Sequence, residues 1–289
     1  MTTRALERII ESIPTTDGGG VKLRRSLGAR QTLRVDPFLM LDEFFSDDPQ
    51  DYLAGFPAHP HRGFETVTYL IEGHMLHEDH LGNRGDLRSG GVQWMTAGCG
   101  IIHSEMPQQE NGRMHGFQLW VNLPAKEKMK PAGYRDIQPE EIPAAELSGG
   151  GRVKVIAGTL ELEGRRIPGP IQGTSTDVSY FDVALPAGGR FSHPVDGTYS
   201  AFVYPFEGRL RIGDAATAQV LDAHKAGVLG PGEHIEVAAA DEAGARFLLL
   251  IGRPLREPVV QYGPFVMNTR EEIEQAISDY LRGTLTATG

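Results

Sequence analysis

The sequence predicts an all-β protein of two similar double-sheet barrels in tandem, with a short helix at the C-terminal end. Three observations carry that expectation. Short apolar runs such as Val67 to Ile71 and Phe247 to Ile251 are set between turn residues, and the 289-residue chain holds 36 Gly and 19 Pro. Brief buried strands with frequent turns suit barrels of this kind. The second half also repeats the first. Gly189-Arg-Phe-Ser-His193-Pro-Val195-Asp-Gly197 aligns without a gap on Gly55-Phe-Pro-Ala-His59-Pro-His61-Arg-Gly63, and Tyr204-Pro-Phe-Glu-Gly208 falls on Tyr69-Leu-Ile-Glu-Gly73 with one extra residue between. Finally, Thr269 and Glu272 have capping-box spacing, Ile273, Ile277, Tyr280 and Leu281 form one apolar stripe, and Gly283 stops the helix.

Taken in order, Arg4 to Ser12 carries Leu6, Ile9 and Ile10 and reads as a short strand or irregular edge, followed by the turn Asp17-Gly-Gly-Gly20. Leu23 to Leu33 mixes Arg24, Arg25 and Arg30 with apolar residues. Phe38 to Leu41 is a compact apolar run ending in Asp42-Glu43, two acids that read as surface or turn groups. Between Gly73 and Gly82, His74, His77 and His80 recur every three residues. That spacing could hold a metal on a helix, but between glycines among strands it reads as a hairpin. Asn83 to Gly91 is a loop with no phosphate-cradling pattern. Past Leu123, four prolines at 124, 131, 139 and 143 and the run Ser148-Gly-Gly-Gly151 disfavour regular structure. The domain boundary is placed there, giving an N-terminal domain over 1–135 and a C-terminal domain over 136–289.

The chemistry concentrates between Gly55 and Pro107. Alternate residues of a strand share a face, so His59 and His61 point one way, and so do His103 and Glu105. Two such pairs on facing strands would converge. Three imidazoles and a carboxylate at one point inside a barrel suit a divalent iron, manganese, nickel, copper or zinc ion. In the second copy Val195 stands where His61 stands in the first, and valine has no lone pair to offer. His193, His234 and Glu236 therefore read as strand residues facing solvent rather than as a second working site.

Composition narrows the alternatives. A net charge of −10 and a sequence pI near 5.5 argue against direct nucleic-acid binding, which needs clustered Lys and Arg. Cys99 is the only cysteine, so no internal disulfide is expected and a reducing compartment is compatible. It reads as a small residue in a Gly-rich turn, with oxidation near a metal as the sharper reading. Met1 to Thr15 lacks a continuous apolar core and no run is long enough for a membrane span, so a cytoplasmic location is the default expectation.

The Gly–His-x-His–Glu–Gly segment with a further His downstream resembles the cupin signature. More specifically, Asp36-Pro-Phe-Leu-Met-Leu-Asp-Glu-Phe44, His59-Pro-His-Arg-Gly-Phe-Glu65, Gln93-Trp-Met-Thr-Ala-Gly98, Ile101-Ile-His-Ser-Glu-Met-Pro107, Gln118-Leu-Trp-Val-Asn-Leu-Pro124 and Tyr262-Gly-Pro-Phe-Val-Met-Asn-Thr269 are similar to the pirin family across nearly the whole chain. Gly98 departs from the general cupin pattern, which has Pro there. The resemblance implies two cupin (double-sheet jelly-roll) barrels, with metal only in the first. It implies His59, His61, His103 and Glu105 as ligands, Fe(II) as the ion, and Glu65 behind them, accepting a hydrogen bond from a ligand histidine. It also implies a dioxygenase of quercetin 2,3-dioxygenase type, in which dioxygen opens a flavonol ring and carbon monoxide leaves, with Glu105, or Glu65 behind it, taking the hydroxyl proton. Phe56, Trp94 and Phe117 are the expected apolar walls. The other reading implied is an iron-dependent redox-sensing regulator that binds a protein partner, with Arg62 reporting the charge of the metal at the surface.

Overall fold

Alternating runs become strands here because each can hide one face between two sheets while the other face meets water or a neighbour. The computed structural model describes residues 2–214 and 216–287. It divides into two compact units that are not consecutive in sequence. One takes the chain up to Ser12, Val35–Pro37 and Glu140–Pro254; the other takes Ile13–Arg34, Phe38–Pro139 and the residues from Leu255 onward. This differs from a single cut between 135 and 136. The first predicted strand, Leu6–Glu11, pairs with Lys225–Leu229 in the sheet of the other repeat. The stretch after Leu123 is also less irregular than its prolines suggest, since Gly133–Ile137 is a strand pairing with Val92–Thr96.

The metal-motif unit has a seven-stranded sheet in the order Gly133–Ile137, Val92–Thr96, Phe64–Glu72, Met114–Asn122, Phe38–Ser46, Val21–Arg25 and Ile13–Asp17. A four-stranded sheet runs Phe56–His61, Ile101–Pro107, His74–Asp79 and Arg84–Arg88. Val21, Leu23, Phe44 and Leu70 of the large sheet form one apolar cluster with Met75 and Leu87 of the small one, so the two sheets close on each other.

The other unit repeats the plan. Its large sheet runs Leu6–Glu11, Lys225–Leu229, Ser200–Glu207, Ala245–Gly252, Ser179–Leu185, Arg152–Ala157 and Ala144–Glu146. Its small sheet runs Arg190–Pro194, His234–Ala239, Leu210–Ile212 and Gln219–Leu221. The duplication read from the sequence is thus a duplication of sheets, strand for strand in the smaller one.

Several polar residues are more deeply placed than their chemistry suggests. Asp42 and Glu43 are not surface groups: both are buried, Asp42 paired with Arg25 and Glu43 with His115. Lys128 is buried, and its ammonium donates to Asn122 Oδ1 at 2.6 Å and to the carbonyls of Gly63 and Val266 at 2.7 and 3.0 Å. Burial lowers this amine to about 8. Lys128→Met is expected to lower the unfolding free energy by about 2–3 kcal/mol, because three buried acceptors lose their donor. Urea unfolding checks this, and a change under about 0.5 kcal/mol would refute it.

The helix spans Arg270–Leu281, with the expected capping box of Thr269 and Glu272. Gly283, at φ +69°, follows the Arg282 C-cap. The buried face differs from the predicted stripe. Ile273 and Ala276 are buried and Ile277 packs against them, while Tyr280 and Leu281 are exposed. No helix among the described residues is long and apolar enough to cross a membrane.

Candidate metal centre

The smaller sheet places the ligand-type side chains by register. On Ile101–Pro107, His103 lies opposite His59 and Ile101 opposite His61, with a bulge between His103 and Glu105. The burial of Ile101, His103 and Glu105 alternates with partial exposure of Ile102 and Ser104, so this edge of the strand faces inward. His59, His61 and His103 meet: their candidate ligand nitrogens all lie within 4.8 Å of one another.

Each ring has one nitrogen free for the shared point. His59 Nδ1 donates to the Pro57 carbonyl at 2.8 Å, which leaves its Nε2 with a lone pair. That nitrogen is 3.0 Å from His61 Nε2. Two imidazoles at right angles around one ion, each bonded at about 2.1 Å, would stand about 3 Å apart. His103 Nε2 is buried with no hydrogen-bond partner. Burial pushes the His61 and His103 imidazoles well below their usual value, and the neighbouring histidines push further in the same direction. Neutral imidazoles are what a metal requires. The donor set and the orphaned nitrogen therefore fit a transition-metal ion.

Glu105 is buried beside them but is not among the three converging donors. Its Oε1 accepts from Thr68 Oγ1 at 2.7 Å and its Oε2 from Gln118 Nε2 at 2.8 Å. Glu65 is also buried, yet it accepts from Thr96 Oγ1 at 2.7 Å and faces Lys130 at 3.7 Å, and no site histidine is among these partners. The expected bond from Glu65 to a ligand histidine is replaced by one from His77. This residue, read as part of a plain hairpin, is in a hairpin but is buried, with Nδ1 3.3 Å from His103 Nδ1. Its position opposite Glu105 across Ile101–Pro107 follows from strand register, which the three-residue histidine spacing did not reveal.

Arg62 does not lie at the surface. It is 2 % exposed, and its guanidinium donates to the Cys99 carbonyl, to Asp279 Oδ2 at 2.8 Å and to the Leu285 carbonyl at 3.2 Å. The hydrogen bond from Arg62 holds the Asp279 carboxyl below its usual range. Cys99 is buried as well. A cavity of about 590 Å³ opens onto His59 and His61, walled by Met40, Phe44, Phe56 and Trp120, with Gln118 on its lining. Phe56 is thus on the cavity wall, whereas Trp94 and Phe117 are buried but are not among the lining residues.

The family profile described as Pirin matches residues 20–121, and the one described as Pirin C-terminal cupin domain matches residues 180–286. The chain belongs to the pirin family. Human pirin is 44 % identical over 92 % of this chain and 88 % of its own length. A Pseudomonas aeruginosa protein provisionally named a quercetin 2,3-dioxygenase is 54 % identical over 94 % of both chains. Among solved structures, a quercetin 2,3-dioxygenase from Acinetobacter baumannii superposes with a TM-score of 0.87 at 33 % identity, covering 98 % of this chain and 99 % of that one. The pirin fold of this chain is accordingly a pair of cupin barrels.

Within this pirin the second barrel differs by more than Val195. On His234–Ala239 the buried residues are Ile235, Val237 and Ala239, so His234 and Glu236 face away from the core. Gly230-Pro-Gly-Glu-His234-Ile-Glu236 is one residue shorter than its counterpart Gly98-Cys-Gly-Ile-Ile-His103-Ser-Glu105, and a shift of one residue turns every side chain to the opposite face. His193 corrects the solvent-facing reading, since it is buried, with Phe181 at 5.2 Å and Phe191 at 6.2 Å between ring centres. His193→Ala is expected to keep wild-type metal content while costing about 2 kcal/mol of stability through a cavity. Elemental analysis beside thermal unfolding checks both halves, and metal loss equal to that of His59→Ala would overturn the reading.

Proposed function

We propose that this pirin is a metal-dependent dioxygenase of the quercetin 2,3-dioxygenase type, carried out at the His59–His61–His103 centre in the N-terminal repeat. The observation that supports it most is the convergence of three imidazoles beside an apolar-walled cavity, two of whose lining residues are themselves in the triad. The enzyme-named relatives point the same way. His59, His61 and His103 would hold the ion, with Glu105 as the fourth ligand and Fe(II) as the ion in the cell. Such an ion supplies Lewis acidity and one-electron chemistry toward dioxygen.

The chain's own residues do the rest. Met40, Phe44, Phe56 and Trp120 offer flat apolar surface to a polyphenol ring and keep bulk water from the histidines. Gln118 lies on the cavity lining and bonds Glu105, so the carboxylate stands behind the polar edge of the cavity. Held by two neutral donors, Glu105 retains lone pairs with which to take the proton of the flavonol hydroxyl. The net reaction adds both atoms of dioxygen to the substrate and releases one ring carbon as carbon monoxide.

The regulator reading loses its suggested reporter, because a buried Arg62 paired with Asp279 presents no charge to a protein partner. Iron-reconstituted protein is expected to consume dioxygen and quercetin in equal amounts and to release carbon monoxide. Full iron occupancy with no quercetin-dependent oxygen uptake would rule the dioxygenase out.

A further inference from the structure

The smaller sheet carries one buried ionisable pair that the proposed reaction does not use. On the strand His74–Asp79, Asp79 lies opposite His103 and His77 opposite Glu105. The side chains of His77 and Asp79 are 2 % and 0 % exposed. Asp79 is fixed before it meets the histidine: Oδ1 accepts from the backbone N–H groups of Leu81 at 2.9 Å and Asn83 at 3.0 Å, and Oδ2 accepts from Asn83 Nδ2 at 2.9 Å. His77 Nε2 lies 3.4 Å from the same Oδ2, and His77 Nδ1 lies 3.3 Å from His103 Nδ1.

The proton positions follow from chemistry. A carboxylate only accepts, so His77 Nε2 must carry a hydrogen. With one proton on the ring, His77 Nδ1 is then a lone pair, and it can be satisfied only if His103 Nδ1–H donates to it. His103 Nε2 is thereby left as a lone pair, and this is the buried nitrogen with no partner in the protein. Reversing the tautomer of His77 would reverse that of His103 and place a hydrogen where a ligand atom is needed.

The ring of His77 is held in plane from the other side. Tyr134 stacks on it at 4.2 Å and 17°. Gly85, opposite His77 on the next strand, makes room: a Cβ there would stand 1.6 Å from the Tyr134 hydroxyl. A side chain at 85 would therefore displace the tyrosine that keeps His77 in place.

From this arrangement we infer that His77 and Asp79 are positioning residues that lock His103 in its metal-binding tautomer and orientation through an Asp79–His77–His103 hydrogen-bonded line. The inference rests on the metal reading of the histidine triad. Outer partners of this kind change metal affinity by about 10–100-fold when removed.

The test is cobalt(II) binding to metal-free full-length protein, read as a dissociation constant by chelator competition and as the visible absorption of the bound ion. His77→Phe keeps a ring against Tyr134 but removes the acceptor; Asp79→Asn puts an N–H where His77 needs a carboxylate. Both are expected to weaken cobalt binding about 10–100-fold and to alter the absorption bands, with metal-free melting temperatures near wild type. His77→Gln, whose amide oxygen can accept from His103, is expected to recover most of the affinity. Should His77→Phe fail to fold, His77→Gln and Asp79→Asn carry the comparison. Wild-type binding abolished by His59→Ala, but changed by less than about threefold in His77→Phe and Asp79→Asn with unaltered spectra, would sink the positioning role alone. A wild type that binds no cobalt would sink the metal reading and this inference with it.

Discussion

His61→Ala is expected to leave purified protein with under about a tenth of the wild-type metal and no quercetin-dependent oxygen uptake, since metal affinity depends on the complete set of ligands. His61 is one of three converging donors, buried and held neutral by its surroundings, and among the described residues no fourth histidine joins that group. The two buried carboxylates, Glu105 and Glu65, are expected to behave differently. Glu105→Gln is expected to lose metal and Glu65→Gln to keep it, because Glu65 is bonded to Thr96 and Lys130 while Glu105 stands on the same strand face as His103. Metal analysis showing the reverse pattern would assign the ligand to Glu65.

The largest loss of stability is expected from Gly63→Ala, two residues past His61. Gly63 has φ +91°, and an added Cβ would stand 2.0 Å from the Val266 carbonyl oxygen. The expected cost is about 3 kcal/mol or more, combining left-handed backbone strain with overpacking against a rigid carbonyl. Gly82→Ala separates the two contributions: its φ is +84°, with nothing within 4 Å of the added atom, so only strain of about 1–2 kcal/mol applies. Equal melting-temperature losses in the two variants would mean that the Val266 contact contributes nothing.

The fold was legible because its signals are local. Apolar alternation, turn glycines and a capping box each act over a few residues, and the two copies of one motif gave the duplication. His59 and His61 were legible for the same reason, as residues two apart on one strand, and His103 as half of a like pair with Glu105. What escaped required long-range register. His77 joins the site because His74–Asp79 lies beside Ile101–Pro107, and Asp42, Glu43 and Arg62 find partners for their buried side chains at positions distant in sequence. The pairing of Leu6–Glu11 with Lys225–Leu229 has no sequence signature at all, since any edge strand of suitable apolar pattern could fill that place.

The crossed membership of the two units has a consequence during synthesis. Arg62 is emitted early, yet its carboxylate partner Asp279 follows 217 residues later. Until the ribosome has released the segment from Leu255 onward, the half that carries the histidines lacks the Phe265–Met267 strand and the helix it packs with, and it holds a cation with no counter-charge. Contacts this distant in sequence form slowly and late. The burial of Arg62 beside the histidine strand is therefore completed only once Asp279 has been made, and a nascent fragment stopped short of it leaves that guanidinium without its carboxylate.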